Sequence, residues 1–239
     1  MNIGFYSARA GLISMQQGLD VISNNVANVQ TTGFKEVRPS FSDLLYSTQK
    51  PQNPEAQTGH GTKLTNTDVM YKRGQLMMTN RELDYATPTD CFFAVRDESG
   101  KISYTKDGAF YMSNNGTGWD LVNAEGKFVL GYDKQPIAVS MTAEGKPDIG
   151  NIQQQLGTFR FDNPYGLLAD GSNTYVSTES SGEGIADTSA DKLMSTLEMS
   201  SVNIGDQMVK VIQYQRGFQL NSKMVQTADE IQSIVNNLR

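Results

Sequence analysis

The stretch Phe5-Tyr6-Ser7-Ala8-Arg9-Ala10-Gly11-Leu12-Ile13-Ser14-Met15-Gln16-Gln17-Gly18-Leu19-Asp20-Val21-Ile22-Ser23-Asn24-Asn25-Val26 decides how the chain is organised. Phe5, Ala8, Leu12, Met15, Leu19, Ile22 and Val26 follow one another at steps of 3 and 4, the alternation that aligns them on one helical seam. Polar Gln16, Gln17, Asp20, Ser23 and Asn24 fill the gaps. Gly4, Gly11 and Gly18 recur at seven-residue spacing on a face beside that seam. A glycine inside a helix costs ~1 kcal/mol relative to alanine, so this helix is marginal until something packs on it. A column of residues without side chains either admits a second backbone closely or marks a tolerant surface. Thr31-Thr32-Gly33 is the expected end of the helix, with Gly33 as a left-handed cap.

The other end of the chain repeats the pattern at greater length. Ile204, Met208, Val211, Tyr214, Phe218, Asn221, Val225, Ala228, Ile231, Val235 and Leu238 step by 3 or 4, and Asn203 or Ser201 is the candidate N-cap. A helix of ~35 residues spans roughly 50 Å, so its stripe needs partners: the N-terminal seam first, then the same helices of other copies. Between the ends the pattern is β. Residues 101–105, 109–112, 119–122, 127–132, 159–161 and 174–178 read as short strands, punctuated by Lys106-Asp107-Gly108, Asn114-Asn115-Gly116 and Glu125-Gly126. Polar, aperiodic stretches at 49–59 and 179–189 read as linkers. The expected class is α+β: terminal helices in a coiled-coil-like layer around an antiparallel, hairpin-rich β-domain. The expected segments are an assembly helix at 1–35, an extended linker at 36–63, the β-domain at 64–178, a second linker at 179–200 and the second assembly helix at 201–239.

Composition narrows the chemistry. The 239 residues carry 20 Lys+Arg against 26 Asp+Glu, a net charge of −6 with no basic run, which argues against nucleic acid as a partner. One cysteine, Cys91, and one histidine, His60, leave no disulfide and no Cys or His metal motif, and no cofactor is expected. His60 sits in a glycine-flanked loop. Cys91, beside Phe92-Phe93, reads as a small buried apolar residue. Asp84, Asp90, Asp97, Asp107 and Asp120 fall at turns or solvated positions, no nucleophile elbow or phosphate loop occurs, and no catalytic residue is assigned. Trp119, Tyr104, Tyr111 and Tyr132 are read as sheet packing in preference to a ligand platform. No signal-peptide pattern and no span of ~18 apolar residues occurs, so neither a cleaved leader nor direct membrane insertion is expected.

Four blocks then carry a resemblance. Leu19-Asp20-Val21-Ile22-Ser23-Asn24-Asn25-Val26-Ala27-Asn28-Val29-Gln30-Thr31-Thr32-Gly33-Phe34-Lys35 resembles the N-terminal signature of bacterial flagellar rod and hook proteins. Gly74-Gln75-Leu76, Leu83-Asp84-Tyr85-Ala86, Phe92-Phe93-Ala94-Val95 and Tyr104-Thr105-Lys106-Asp107-Gly108-Ala109-Phe110 are similar to the start of that family's β-domain. Phe161-Asp162-Asn163-Pro164-Tyr165-Gly166-Leu167 is similar to its F-x-N-P-x-G-L element, and Leu197-Glu198-Met199-Ser200-Ser201-Val202-Asn203-Ile204 runs into its C-terminal helix signature. Length and a single β-domain look most like the distal-rod, F/G-type members. Two departures stand out: Pro88-Thr89-Asp90-Cys91 replaces the glycines that usually precede the F-F pair, and Gly205 occupies the first turn of the last helix.

The resemblance implies a structural subunit that polymerises through its terminal helices into a hollow, torque-transmitting tube of the flagellar basal body. The partners it implies are further copies of the chain, other flagellar rod and hook proteins, and the flagellar type III export apparatus. The expected assembly interface is Phe5, Ala8, Gly11, Leu12, Met15, Leu19, Ile22 and Val26 with Met208, Val211, Phe218, Val225, Ala228, Ile231, Val235 and Leu238. A hook-type subunit is the nearest alternative, and a secreted adhesive module or a wall-degrading enzyme are the alternatives of other classes.

Overall fold

The structure, a computed structural model, describes residues 3–48, 57–114, 118–139 and 149–238. Three α-helices occur among them: α1 (Ile3–Ala27), α2 (Ile149–Gln155) and α3 (Ile204–Asn237). The chain forms two compact units, one of Met1–Ala27, Val37–Met70 and Asn203–Arg239, the other of Asn28–Glu36 and Tyr71–Val202. The class is α+β, as the sequence patterns require.

In the helical unit, α3 runs for 34 residues from the Asn203 N-cap, whose side chain accepts the Gly205 N–H. That bond satisfies an otherwise orphaned donor, so Gly205 does not delay the start of the helix. α1 stops at Ala27, short of the expected Thr31-Thr32-Gly33. Its exit is set by Asn25, whose side-chain oxygen accepts the Val37 N–H at 3.0 Å while its amide donates to the Val37 carbonyl at 2.7 Å. Gly33 is left-handed, with φ +67°, but stands in the turn beyond the helix, where an added Cβ would lie 2.6 Å from the Lys106 carbonyl carbon.

The expected linker over 36–63 is instead a paired ribbon. Strand Val37–Asp43 pairs antiparallel with Thr62–Val69, with an irregularity between Ser40 and Phe41, and Tyr46–Thr48 pairs with Gln57–Gly59. Residues 49–56, the centre of the first linker reading, lie outside the described residues. The ribbon lies on α1: Ser14 Oγ donates to the Thr62 carbonyl at 2.9 Å, and at Gly61, with φ +109°, an added Cβ would meet the Ala10 Cβ at 2.9 Å. Thr62–Val69 therefore belongs to the helical unit, and the β-unit resumes at Tyr71.

The β-unit is antiparallel throughout its described pairings. Its main sheet runs Ala138–Val139, Trp119–Val122, Phe128–Val129, Phe92–Arg96, Ile102–Thr105, Thr174–Val176, Leu168–Gly171, with Thr158–Arg160, Ile185–Ala186 and Tyr111–Asn114 joined at its sides. Residues 115–117, which include most of the Asn114-Asn115-Gly116 turn, are outside the described residues. Tyr85, Phe93, Val95, Phe110, Leu121, Val129, Ile137, Ile152 and Leu156 form the core. Tyr104 meets Phe161 edge-to-face at 4.7 Å between ring centroids, while Trp119 and Tyr111 lie nearer the surface. The expected linker at 179–200 is laced through this unit: Leu193–Met194 pairs with Tyr85–Ala86 and Thr196–Glu198 with Leu76–Met78. Its polarity misleads because Ser181, Thr196 and Glu198 are buried, Ser181 Oγ donating to the Thr178 carbonyl. Lys192 Nζ donates to the carbonyls of Gln153 and Leu156 at 2.6 and 3.0 Å, closing the C-terminal end of α2.

Cys91 is buried, and burial pushes its thiol pKa up; Lys106 Nζ, also buried, donates to the Thr89 carbonyl at 2.7 Å. Burial holds the Lys106 ammonium down at about 8, and pushes the Tyr85 and Tyr175 hydroxyls up to about 12. A base with a depressed folded pKa stabilises above its unfolded value and loses that contribution as pH falls through the folded one. Stability against urea is therefore expected to rise by about 1 kcal/mol between pH 7.5 and 9, and the rise to be absent in Lys106→Met. The buried thiol from about pH 8.5 and the tyrosines from about pH 10 act in the opposite direction, because the unfolded chain ionises first, so the Lys106 effect is read as the difference between the two pH profiles. An identical pH profile in Lys106→Met contradicts this assignment.

Candidate assembly interface

The two terminal helices pack against each other, and their register is antiparallel with a heptad step. An added Cβ at Gly11 would lie 2.8 Å from the Asn221 amide nitrogen, one at Gly18 2.7 Å from the Tyr214 ring, and one at Gly217 2.9 Å from the Met15 sulfur. One further heptad along, Asn25 Nδ2 donates to Gln207 Oε1 at 3.3 Å in a fully buried pair. Gly11, Gly18 and Asn25 thus face Asn221, Tyr214 and Gln207. The glycine column is a site of close approach, and its immediate partner is the side chains of α3 in the same chain. Tyr214 is wedged further by Phe41 of the ribbon, 6.2 Å between ring centroids, and burial raises its hydroxyl pKa.

This uses a different part of α1 from the apolar seam. Its buried residues are Ala8, Gly11, Ser14, Gly18, Ile22 and Asn25, a face centred roughly 80° around the helix from the seam at ~100° per residue. Of the expected α1 positions, Ala8, Gly11 and Ile22 are buried, whereas Phe5, Leu12, Met15, Leu19 and Val26 are half-buried. On α3, Ala228 is buried and Val211 and Val225 are half-buried; Met208, Phe218, Ile231, Val235 and Leu238 are exposed. The buried Ser14, Asn25 and Gln207 are additions that apolar periodicity does not single out. The signal for two of the three was a second heptad, Asn25 continuing the glycine column and Gln207 preceding Tyr214 and Asn221 by sevens.

Outside the α1 contact, α3 leaves several large apolar side chains in water. Ile212, Leu220, Met224, Ile231, Ile234 and Leu238 are all more than half exposed, Leu220 at 65 %. Arg216, Lys223 and Glu230 share this side by their 3–4 spacing from Ile212, Leu220 and Ile234, so apolar and charged positions alternate along it. At the far end, Phe5 and Tyr6 of α1 and Asp229, Gln232, Ser233 and Asn236 of α3 line a shallow cleft. No group of three or more His, Cys, Asp or Glu among the described residues is placed to hold a metal, and no described helix is long and apolar enough to cross a membrane. The helical contact itself is testable. Gly18→Leu drives a side chain into the Tyr214 ring and is expected to destabilise the helical unit by about 1–3 kcal/mol, read as faster amide exchange in α1 with unchanged Trp119 fluorescence from the β-unit. Gly11→Leu displaces only the Asn221 amide, so its effect is smaller.

Comparison with known proteins bears on these surfaces. Residues 5–35 match the family model described as flagella basal body rod protein, 88–155 the flagellar hook protein FlgE/F/G D1 domain, and 195–238 the flagellar basal body rod FlgEFG protein C-terminal. The flagellar basal-body rod protein FlgG of Borreliella burgdorferi is 35 % identical over 261 aligned residues, covering 98 % of this chain and 97 % of the relative. FlgG of Bacillus subtilis is also 35 % identical, covering 97 % of each. The flagellar hook-basal body complex protein FlhP of Bacillus subtilis is 27 % identical, covering 98 % of each. The paired end helices, the β-unit between them and near full-length similarity agree: the chain belongs to the flagellar basal-body rod proteins, on the distal-rod F/G side of that family.

Proposed function

We propose that this rod subunit polymerises through α1 and α3 into a hollow axial tube that transmits torque. Its partners are further copies of itself and neighbouring rod and hook proteins. It reaches them unfolded through the flagellar type III export apparatus, and it performs no catalytic step.

The observation that carries this reading is the set of exposed apolar side chains on α3. Fully burying a Leu or Ile side chain contributes about 1.5–3 kcal/mol, and this set offers several such residues that the chain's own fold leaves in water. The half-buried seam of α1, with Leu12, Met15 and Leu19, is the matching surface on a second copy. Such a layer joins apolar faces, so its assembly strengthens in moderate salt, where a charge-driven one weakens.

The test is electron microscopy of the purified full chain raised through micromolar concentrations, together with localisation of a labelled chain along isolated basal bodies. Tubes with a central lumen, and label confined to the rod, are the expected results. A chain that stays monomeric at every concentration and salt, or label outside the axial structure, overturns the proposal.

A further inference from the structure

Lys35 and Glu198 take no part in the helical contact, yet they are the most deeply buried ion pair described. Each side chain is 1 % exposed, and Lys35 Nζ donates to Glu198 Oε1 at 2.6 Å. The same ammonium donates to the Lys72 carbonyl at 2.8 Å, and the same carboxylate oxygen accepts the Gly74 N–H at 2.7 Å. Glu198 Oε2 is buried without a partner. Backbone bonds run alongside: Gly33 N–H to the Glu198 carbonyl at 2.7 Å, Ser201 N–H to the Phe34 carbonyl at 3.0 Å, and Met199 N–H to the Gln75 carbonyl at 2.8 Å. Glu36 N–H donates to Ser201 Oγ at 2.9 Å. Three distant pieces of chain, 33–36, 72–76 and 198–201, thus close around one charge pair. They adjoin three of the four points at which the chain enters or leaves the β-unit.

We infer that the Lys35–Glu198 pair is a closing clasp, which makes completion of the β-unit contingent on having both of its end segments, 28–36 and 195–202, in place. The physical reason is charge. Lys106 is a second buried ammonium of the same unit, with its Nζ 5.3 Å from the Phe92 ring centroid, and Glu198, ahead of Asp90, is the carboxylate whose charge favours it most. Until residue 198 arrives, the sheet around Phe92 can close only over two cations without their main counter-charge, and an undercompensated buried charge opposes that closure strongly. The last segment also supplies the strand for Leu76–Met78, and Leu193–Met194 just before it pairs with Tyr85–Ala86, so sheet and charge are completed in one step. The device belongs to the folding of a single subunit and does not rest on polymerisation.

Pulse-labelled amide exchange during refolding of the full-length chain from urea tests it. The core amides of Leu121, Leu130 and Ile137 are expected to gain protection in the same kinetic phase as the junction amides of Gly33, Gly74, Met199 and Ser201. In Lys35→Met/Glu198→Leu, which removes the pair's charges but keeps the strands, core protection is expected to precede junction protection by tenfold or more in rate. Early core protection in the unmodified chain overturns the inference. So does simultaneous protection in the double variant, because strand pairing alone then explains the coupling. If the double variant does not fold, the unmodified chain still decides between the first two outcomes.

Discussion

Replacing Glu198 by alanine while keeping Lys35 is expected to lower the stability of the β-unit by about 3–5 kcal/mol. The loss comes less from a missing attraction than from what stays behind. Lys35 Nζ keeps only the Lys72 carbonyl, the Gly74 N–H loses its acceptor, and the pocket closes over an unbalanced ammonium. Moving Lys35 into water would require opening the backbone bonds between 33–36 and 198–201. Lys35→Met/Glu198→Leu is expected to recover most of that loss, to within about 1.5 kcal/mol of the unmodified chain, because two apolar side chains in a dry pocket have no charge to solvate. Urea unfolding followed by fluorescence of Trp119, the single tryptophan, reads the β-unit alone. Equal destabilisation in the single and double variants would mean that the pair contributes shape and no electrostatics.

Leu220→Glu combined with Ile231→Glu is expected to abolish polymerisation while leaving the monomer intact. Both side chains are more than half exposed on α3, so the isolated chain should change in stability by no more than ~0.5 kcal/mol. In a helical layer both positions become buried. Each substitution removes about 2 kcal/mol of apolar burial and adds a carboxylate that must be desolvated, so the critical concentration is expected to rise by about a thousandfold or more. Sedimentation of the assembled fraction against total protein measures it. Tubes that form at the original concentration would show that this face is not the contact surface.

Much of this was legible in the sequence. The two terminal helices follow from their 3–4 stripes, and the Asn203 cap was readable because a polar side chain stood where the stripe begins. What periodicity did not reveal was which face each helix uses on the other, because apolar stripes advertise every buried face at once, whether covered by the chain itself or left for a neighbour. The small residues Gly11 and Gly18 were the better guide, since contact at 2.7–2.8 Å from a notional Cβ is a statement about distance that hydrophobicity does not make. The ribbon of 37–48 and 57–69 is hard to read from sequence because Arg38, Pro39, Ser40, Ser42, Lys63, Asn66 and Asp68 give no clean alternation, and Pro39 removes a backbone donor from the ladder. The lacing of 179–200 was missed for a related reason: its anchors Ser181, Thr196 and Glu198 are polar residues whose needs are met inside. Lys35 and Glu198 both lay within recognisable signatures, but nothing in their 163-residue separation announces that they touch.

The narrowness of the α1 face turned towards α3 has a consequence of its own. Ala8, Gly11, Ser14 and Gly18 bring little surface to the internal contact, so along this face the helical pair of a lone subunit is held mainly by fit and by the Asn25–Gln207 amide bond. A pair held that way is soft, able to slide or bend within its groove at small energetic cost. Stiffness in a shaft built from such subunits would then be a property of the lattice and not of its parts, acquired only as each newcomer is surrounded. A rod built in the proposed way would be rigid along its length and pliant at its growing end, where the last subunit still has a free flank.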